Sequence, residues 1–302
     1  MSFKIRPNEP LDKGVKRIAD TRIEDSIDRL RHFKQNPDKS VHEIRKNMKK
    51  IRAVLRLIRY GIPDKRYKTL NALHRDISRQ FAVVREANVN VKTLKRLKKT
   101  FELPAVARDV RKVLESQHRD TLELIQGRPE VLQKMRRRLE RSKADFNRLP
   151  LDSQDFDLVR GGLKRVYKQG RAALEAAMKT KDGDHFHEWR KRVKYLWYHV
   201  RLLGFVWPPV MNGYARSLDR LSDTLGEEHD LLDLKRLFLD AEAATPSAET
   251  GIDAIVKIID EKRTKLQSTV WTAGEKIYAE APGMFADRTA RYWHAETSTR
   301  SH

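Results

Sequence analysis

The chain has 302 residues, of which 64 are Lys or Arg and 42 are Asp or Glu, and its formal charge at pH 7 is +22. This excess is far larger than solubility requires, so it indicates a polyanionic partner: nucleic acid, inorganic polyphosphate or an anionic membrane surface. The absence of cysteine excludes disulfides and thiolate metal sites, and no run of residues approaches the ~18 consecutive apolar side chains of a membrane span.

The pattern of apolar residues predicts an all-α fold. Apolar side chains recur at helical spacing almost throughout, strand-type alternation is absent, and the prolines fall between the periodic segments. The first residues, Met1 to Pro10, lack the apolar core of a signal peptide, so we expect a cytoplasmic protein that does not insert into a membrane. The length allows two domains, or one domain built from two similar halves.

The first predicted helix carries apolar residues at helical spacing, namely Val15, Ile18, Ile23, Ile27 and Leu30. The second begins at Ser40, where Glu43 three residues later completes a capping box, and it ends at the turn over residues 61–63. A third helix follows over about 70–84 and a fourth starts near Val91.

The second predicted helix carries two opposite faces. Its basic face comprises His42, Arg45, Lys46, Lys49, Arg52 and Arg56. Its apolar face comprises Ile44, Met48, Ile51, Leu55 and Ile58. Like charges three or four residues apart repel each other by a few tenths of a kcal/mol per pair, so stability alone does not account for this row. The row therefore indicates an anionic ligand.

The basic helix occurs twice in the chain. Residues 41–49 recur as residues 186–194, and the second basic row comprises His187, Arg190, Lys191, Lys194 and Arg201. Two further helical stretches over about 103–149 complete a first half, 11–150, and the last predicted helical region covers 252–277 in a second half, 151–295. Residues 296–302 are expected to form a flexible tail. Solenoid repeats are typically ~20 to 50 residues long, so a repeat of this length predicts a duplicated helical bundle.

Three features in combination resemble the CHAD domain family of α-helical domains, over nearly the whole chain. They are the two His-Glu-x-Arg-Lys-x-x-Lys helices, the Tyr-Lys-Gln-Gly-Arg segment at 167–171, and the Leu-Gly-Glu-Glu-His-Asp segment at 225–230. The resemblance implies two four-helix bundles related by internal pseudo-twofold symmetry, with long helices around a central basic groove or pore that binds inorganic polyphosphate. No Glu-x-Glu-x-Lys signature of the CYTH domain that is often joined to this family is found, so we expect a single stand-alone CHAD domain over 1–302.

The predicted phosphate ligands are the two basic rows together with cations on the first helix of each half. The repeat and the family resemblance add Arg17, Arg165, Lys168 and Arg171. Arginine offers a planar fork for two phosphate oxygens and lysine offers a compact charge. His42 and His187 are placed at helix starts, where unpaired N–H groups favour anions. These histidines could equally be structural and bond a neighbouring carbonyl or carboxylate.

The function expected from these features is non-enzymatic polyphosphate binding, with targeting to polyphosphate granules. The alternative is sequence-independent nucleic-acid binding by counterion release, although no helix-turn-helix, zinc-finger or OB pattern is found. A phosphohydrolase or polyphosphate kinase needs metal-holding carboxylates or a nucleophile among the cations. Glu43 and Glu188 are the only carboxylates in the motifs, and helix capping explains them better. We therefore expect no catalytic residue, metal or cofactor.

The carboxylate-rich segment at 227–230 has a second possible meaning, because Glu227, Glu228, His229 and Asp230 could together suggest a metal site. The segment lies at a helix end in a strongly basic chain. We therefore expect its carboxylates to form ion pairs with basic neighbours.

Overall fold

The computed structural model describes residues 3–151, 155–244 and 249–298, and these ranges contain eleven α-helices and no strand. In chain order the helices are α1 (Leu11–Arg31), α2 (Pro37–Leu57), α3 (Asp64–Gln80), α4 (Ala82–Thr100), α5 (Val106–Gln126), α6 (Pro129–Asn147), α7 (Asp157–Thr180), α8 (Gly183–Leu202), α9 (Pro208–Ala244), α10 (Glu249–Ile277) and α11 (Pro282–Ser298). The all-α prediction is confirmed. Over the described ranges no helix combines the length and apolarity that crossing a membrane requires.

The helices pack in two groups that follow the order of the chain. In the first group α2 packs against α1 and α3, and α6 packs against both α1 and α3. In the second group α7, α8, α9 and α10 pack successively, and α10 returns to α7. The groups fall in the first and second predicted halves. Their pseudo-twofold relation and the boundaries of the halves stay predictions.

The helical segments that follow the two basic helices, α2 and α8, span the same number of residues. α9 is a continuous helix of 37 residues over 208–244, and α3 and α4 together cover a span of the same length over 64–100. Only Phe81 separates α3 from α4, with φ −105° and ψ 13°, and its buried ring stacks on Phe33 at a centroid distance of 5.9 Å. The third predicted helix, 70–84, therefore ends earlier than its apolar pattern suggested.

The start of α2 corrects the predicted capping box. The N-cap residue is Asn36, whose side chain accepts a hydrogen bond from the Lys39 N–H at 3.1 Å, and Pro37 occupies the first helical position. Ser40 lies within the first turn and its N–H donates to the Asn36 carbonyl at 3.0 Å. The prediction was wrong because Asn followed by Pro is itself a strong start signal: the amide caps, and proline has no N–H to satisfy.

The earlier start moves the two histidines away from the helix ends. α8 begins at Gly183, and its N-cap Asp182 accepts a hydrogen bond from the His185 N–H at 2.8 Å. His42 and His187 therefore both lie in the second turn, where backbone N–H groups are already engaged within the helix. The expectation that unpaired N–H groups assist anion binding beside these histidines is wrong.

Two apolar cores hold the helices together. The larger core takes residues from both halves, and it includes the whole predicted apolar face of α2, since Ile44, Met48, Ile51, Leu55 and Ile58 are fully buried. The smaller core joins α4 and α5 to the distal parts of α9 and α10 through Leu94, Leu97, Ala107, Leu231, Leu234, Phe238, Ile252, Ile255 and Ile259. The α4–α5 hairpin is thus fixed to the second half of the chain.

α11 was not predicted from the sequence. It packs on α7, where the Phe285 ring stacks on Tyr167 at a centroid distance of 4.4 Å. The helix runs to Ser298 and so includes Glu296, the first residue of the predicted tail. Residues 299–302 lie outside the described residues.

The two halves meet by close backbone packing at Gly162 of α7. A Cβ atom placed on Gly162 would lie 2.0 Å from the Leu57 carbonyl oxygen and 2.5 Å from that of Arg56, at the end of α2. Only glycine allows the two helix backbones to approach this closely.

Replacing Gly162 with alanine is expected to destabilise the fold by about 1–3 kcal/mol, because α7 must move away from the end of α2. Equilibrium unfolding in urea measures the change. Gly283→Ala is the matched control, since no atom lies within 4 Å of a Cβ built at Gly283. Equal stabilities for the two variants would show that the halves do not depend on this contact.

Candidate anion-binding site

The basic helices α2 and α8 lie against each other. The buried His199 ring of α8 donates from Nε2 to the Ala53 carbonyl of α2 at 2.9 Å. The guanidinium of Arg56 lies over the Tyr195 ring, 4.0 Å from its centroid. These contacts bring the basic helices of the two halves next to each other. The central groove that the family resemblance implied stays a prediction.

Cations from both halves surround Lys49 of α2. Desolvation and, in decreasing order of effect, the nearby charges of Arg190, Arg45, Arg85 and Lys194 together lower the pKa of Lys49 to about 7, and desolvation is the largest cause. Arg190 and Lys194 belong to α8, and Arg85 belongs to α4. We call Arg45, Lys49, Arg85, Arg190 and Lys194 the central basic cluster.

The surroundings of Lys49 indicate a concave recess. Its side chain reaches solvent, yet the surrounding protein removes enough hydration to lower its pKa strongly. A side chain that reaches water while protein groups surround its base lies in a concave part of the surface, where the ammonium group is less hydrated than on an open surface. Burial also lowers the pKa of Arg45, Arg85 and Lys194.

Arg190 provides an unpartnered donor in the central basic cluster. Its Nε atom is buried without a hydrogen-bond partner, and among the described residues no carboxylate lies within ion-pair distance of its guanidinium. The guanidinium lies beside Gly226 of α9, where a Cβ would come within 3.1 Å of Nε. A buried N–H that lacks a partner costs free energy, and a bound anion would remove that cost.

Other members of the two basic rows are held by neutral groups or aromatic rings. Arg52 donates to the Asn71 side chain at 3.1 Å. Lys194 and Arg201 both lie over the Trp197 ring, 3.8 Å and 4.6 Å from its centroid. Lys194 also lies 3.5 Å from Asp219. Contacts with amides and rings orient Arg52 and Arg201 without cancelling their charge, whereas Asp219 partly offsets the charge of Lys194.

The two histidines have unlike surroundings. Desolvation and the charges of Arg85, Lys46 and Lys92 lower the pKa of the exposed His42. The His187 ring lies 4.0 Å from that of His229, and burial lowers the pKa of each to about 4. All three are therefore neutral near pH 7. Ligand contact by the histidines stays a prediction.

The glutamates of the two motifs pair with cations on their own helices. Glu43 lies 3.1 Å from Lys46, and Glu188 lies 2.7 Å from Lys191. Neither caps its helix, since Asn36 and Asp182 do so. The pairs also reduce the net charge that Lys46 and Lys191 present to a ligand.

Comparison with known proteins gives the family. A family model of the CHAD domain matches residues 18–239. The chain belongs to the CHAD domain family. It is similar to the crystal structure of the CHAD domain from the plant Ricinus communis, with a TM-score of 0.65 and 14% identity over 91% of this chain and 93% of that one. At this identity the likeness shows the fold alone. No match was found among the curated proteins.

Within this CHAD domain, the cations predicted on the first helix of each half make other contacts. Arg17 forms a two-point ion pair with Glu9, at 2.5 and 2.6 Å, and hydrogen bonding to Glu9 raises its pKa. Arg171 pairs with Glu175 at 3.2 Å, and Arg165 lies 3.4 Å from the Tyr60 hydroxyl. Lys168 is exposed on α7. These contacts do not include the central basic cluster, and a ligand role for the four residues stays a prediction.

Sequence reasoning missed Arg85, Lys50 and Lys92. Arg85 opens the segment 85–89 that the internal repeat aligns with 227–231, so this alignment was the available signal. Lys50 is only 8% exposed, and its Nζ lies over the Phe3 ring at 5.4 Å from the centroid. Burial lowers the pKa of Lys50 to about 8. Only the packing of the N-terminal segment reveals the surroundings of Lys50.

The 227–230 segment lies in the middle of α9, not at a helix end as expected, but its carboxylates form the expected ion pairs. Glu228, which is 1% exposed, lies 2.7 Å from Arg263, and Glu227 lies 2.8 Å from Lys262. Asp230 lies 3.5 Å from Arg96 of α4. In the part of the chain that the structure describes, no group of three or more metal-binding side chains is found.

Replacing Lys49 with methionine is expected to stabilise the unliganded protein, because the apolar stem stays and a repelled charge is removed. The folded-state pKa of Lys49 is lowered, so its destabilising effect is full below pH ~7 and disappears as pH rises toward the ordinary value of 10.5. The gain in melting temperature should therefore be larger at about pH 6 than at about pH 9.

Lys134→Met on the exposed side of α6 is the matched control. Its stability should differ little from that of the wild type at either pH, because surface substitutions change stability by only about 0.5 kcal/mol. A loss of stability in Lys49→Met at both pH values would contradict the repulsion assigned to Lys49.

Proposed function

We propose that this CHAD domain binds inorganic polyphosphate in the recess between α2 and α8, without a chemical step. We further propose that binding carries the protein to polyphosphate granules in the cytoplasm. The observation that carries the proposal is the central basic cluster, in which cations from both halves surround Lys49. Packing these charges together opposes folding, and a bound polyanion would relieve the repulsion.

The arrangement of the cations suits a linear phosphate chain. Polyphosphate carries roughly one negative charge per internal phosphate, so its site must spread donors over a path. From Arg45 to Arg56, α2 rises by roughly 16 Å at ~1.5 Å per residue. The basic row of α8 adds Arg190 and Lys194 to that path. Arginine and lysine together supply both forked and point-like contacts to phosphate oxygens.

The carboxylates near the cluster give little support for catalysis. Glu43 and Glu188 are engaged by Lys46 and Lys191 on their own helices. Burial raises the pKa of Asp230, and Asp230 pairs with Arg96. Phosphoryl transfer ordinarily needs carboxylates that hold a metal ion beside the phosphate. Binding alone accounts for the arrangement.

Nucleic acid is the competing ligand, because any chain of charge +22 attracts it at low salt. The recess favours polyphosphate over nucleic acid. A polyphosphate chain has no bases, so nothing but phosphate must fit beside α2 and α8. The gain from counterion release falls as the salt concentration rises, so diffuse attraction to nucleic acid weakens. A ligand that fits the central basic cluster should keep more of its affinity.

The test is a competition titration at about 150 mM salt, in which long-chain polyphosphate is displaced by duplex DNA or single-stranded RNA. We expect neither nucleic acid to compete effectively. Lys49→Glu with Lys194→Glu should weaken polyphosphate binding by at least ~100-fold, since two attractive contacts become repulsive.

The matched control is Lys134→Glu with Arg137→Glu, which makes the same change of charge on the exposed side of α6. The control pair should lose only a few-fold in affinity through the weaker overall field. Equal losses in the two double variants, or full displacement by nucleic acid, would replace the proposal with general polyanion binding.

A further inference from the structure

A basic row on α4 continues outward from the central basic cluster. Its members lie three, four or seven residues apart and so share one helix face, and they are Arg85, Lys92, Lys95, Arg96 and Lys99. Arg85 belongs to the central basic cluster, and Lys92 is close enough to lower the pKa of His42. From Arg85 to Lys99 the helix rises by roughly 21 Å at ~1.5 Å per residue.

Three clefts along α4 overlap end to end. The inner cleft, of about 390 Å³, is lined by His42, Arg85 and Lys92 among others. The middle cleft, of about 420 Å³, shares Arg85 and Lys92 with it and extends to Lys95 and Lys99. The outer cleft, of about 540 Å³, shares Lys95 and Lys99 and reaches α5. Adjoining clefts therefore form a depression along α4, from His42 to the residues that join α4 to α5.

Part of the positive charge along this depression is not neutralised by ion pairs. Lys95 lies 2.9 Å from Glu115, and Arg96 lies 3.5 Å from Asp230. Lys92 and Lys99 are exposed, and neither forms an ion pair with a residue in the described ranges. Glu115 and Asp230 are thus paired with cations of the row. Asp38 in the inner cleft contacts Asn88 and His118, and Glu102 at the outer cleft forms no ion pair within the described ranges. Lys92 and Lys99 on the same face are available to an anion.

The cleft beside His187 is lined by more acidic than basic side chains, unlike the basic clefts along α4. It has a volume of about 520 Å³, and its lining includes Glu86, Asp184, Asp233 and Asp240. Its cation, Arg236, lies 3.6 Å from Asp184 and 3.7 Å from Asp233. Carboxylates at this opening repel a polyanion, so the path along α4 is the favoured continuation from the central basic cluster.

We propose that the three clefts along α4 form an outer track that holds the part of a long polyphosphate chain extending beyond the central basic cluster. This inference rests on the proposed function and adds a dependence on chain length to it. A short polyphosphate fills the recess alone. A long polyphosphate also contacts Lys92 and Lys99, and it gains affinity from these added contacts because its second segment is already tethered.

The test compares tripolyphosphate with long-chain polyphosphate on the full-length protein. Lys92→Glu with Lys99→Glu should weaken long-chain binding by about tenfold or more, and the slope of log affinity against log salt should become shallower by about two. Tripolyphosphate affinity should change less than about twofold. The control is Lys134→Glu with Arg137→Glu, which carries the same charge change and should show no dependence on chain length.

The remaining outcomes distinguish a failure of the outer track from a failure of the proposed function. If the Lys92 and Lys99 double variant loses affinity equally for both lengths, or behaves as the control does, the outer track is wrong. If Lys49→Glu with Lys194→Glu still abolishes binding of both lengths in that case, the proposed function stands without the track. If the wild type binds neither length at about 150 mM salt, the proposed function fails and the track fails with it.

Discussion

The constraint on which the structure depends is that burial of the apolar faces of α2 and α8 forces their cationic faces together. Each fully buried aliphatic side chain contributes about 1.5–3 kcal/mol, whereas like charges on one helix repel by a few tenths of a kcal/mol per pair. Ile44, Met48 and Ile51 are fully buried, and Trp189 and Val193 are their counterparts in α8. Packing therefore prevails, and the electrostatic cost remains concentrated at Lys49.

That cost explains why the ionisation of Lys49 is linked to its proposed ligand. With a pKa of about 7, the unliganded side chain is largely neutral above that pH. A polyanion in the recess favours the charged form and raises the pKa, so binding takes up protons. The histidines that head the motifs titrate at lower pH, because burial lowers the pKa of His187 to about 4. Lys49 is thus the member of the central basic cluster whose charge changes near neutral pH.

The sequence predicted what depends on local periodicity, and it missed what depends on tertiary packing. The all-α fold and the apolar face of α2 followed from the spacing of apolar residues, and the family followed from the resemblance of three sequence motifs. The start of α2 was misassigned because Ser40 and Glu43 imitate a capping box that Asn36 and Pro37 precede. Arg85 lies on another helix, and only the packing of α4 near α2 and α9 brings it to Lys49. No local sequence pattern predicts that residues on two different helices lie close together.

Proton uptake on polyphosphate binding tests the central claim most directly. Calorimetric titration at about pH 8, in two buffers of different ionisation enthalpy, counts the protons bound with long-chain polyphosphate. Wild type should take up nearly one proton more than Lys49→Arg, because the arginine is already charged and binds no further proton. Equal uptake by the two proteins, at similar affinity, would contradict the account, since Lys49 would then neither be neutral in the free protein nor gain its charge from the ligand.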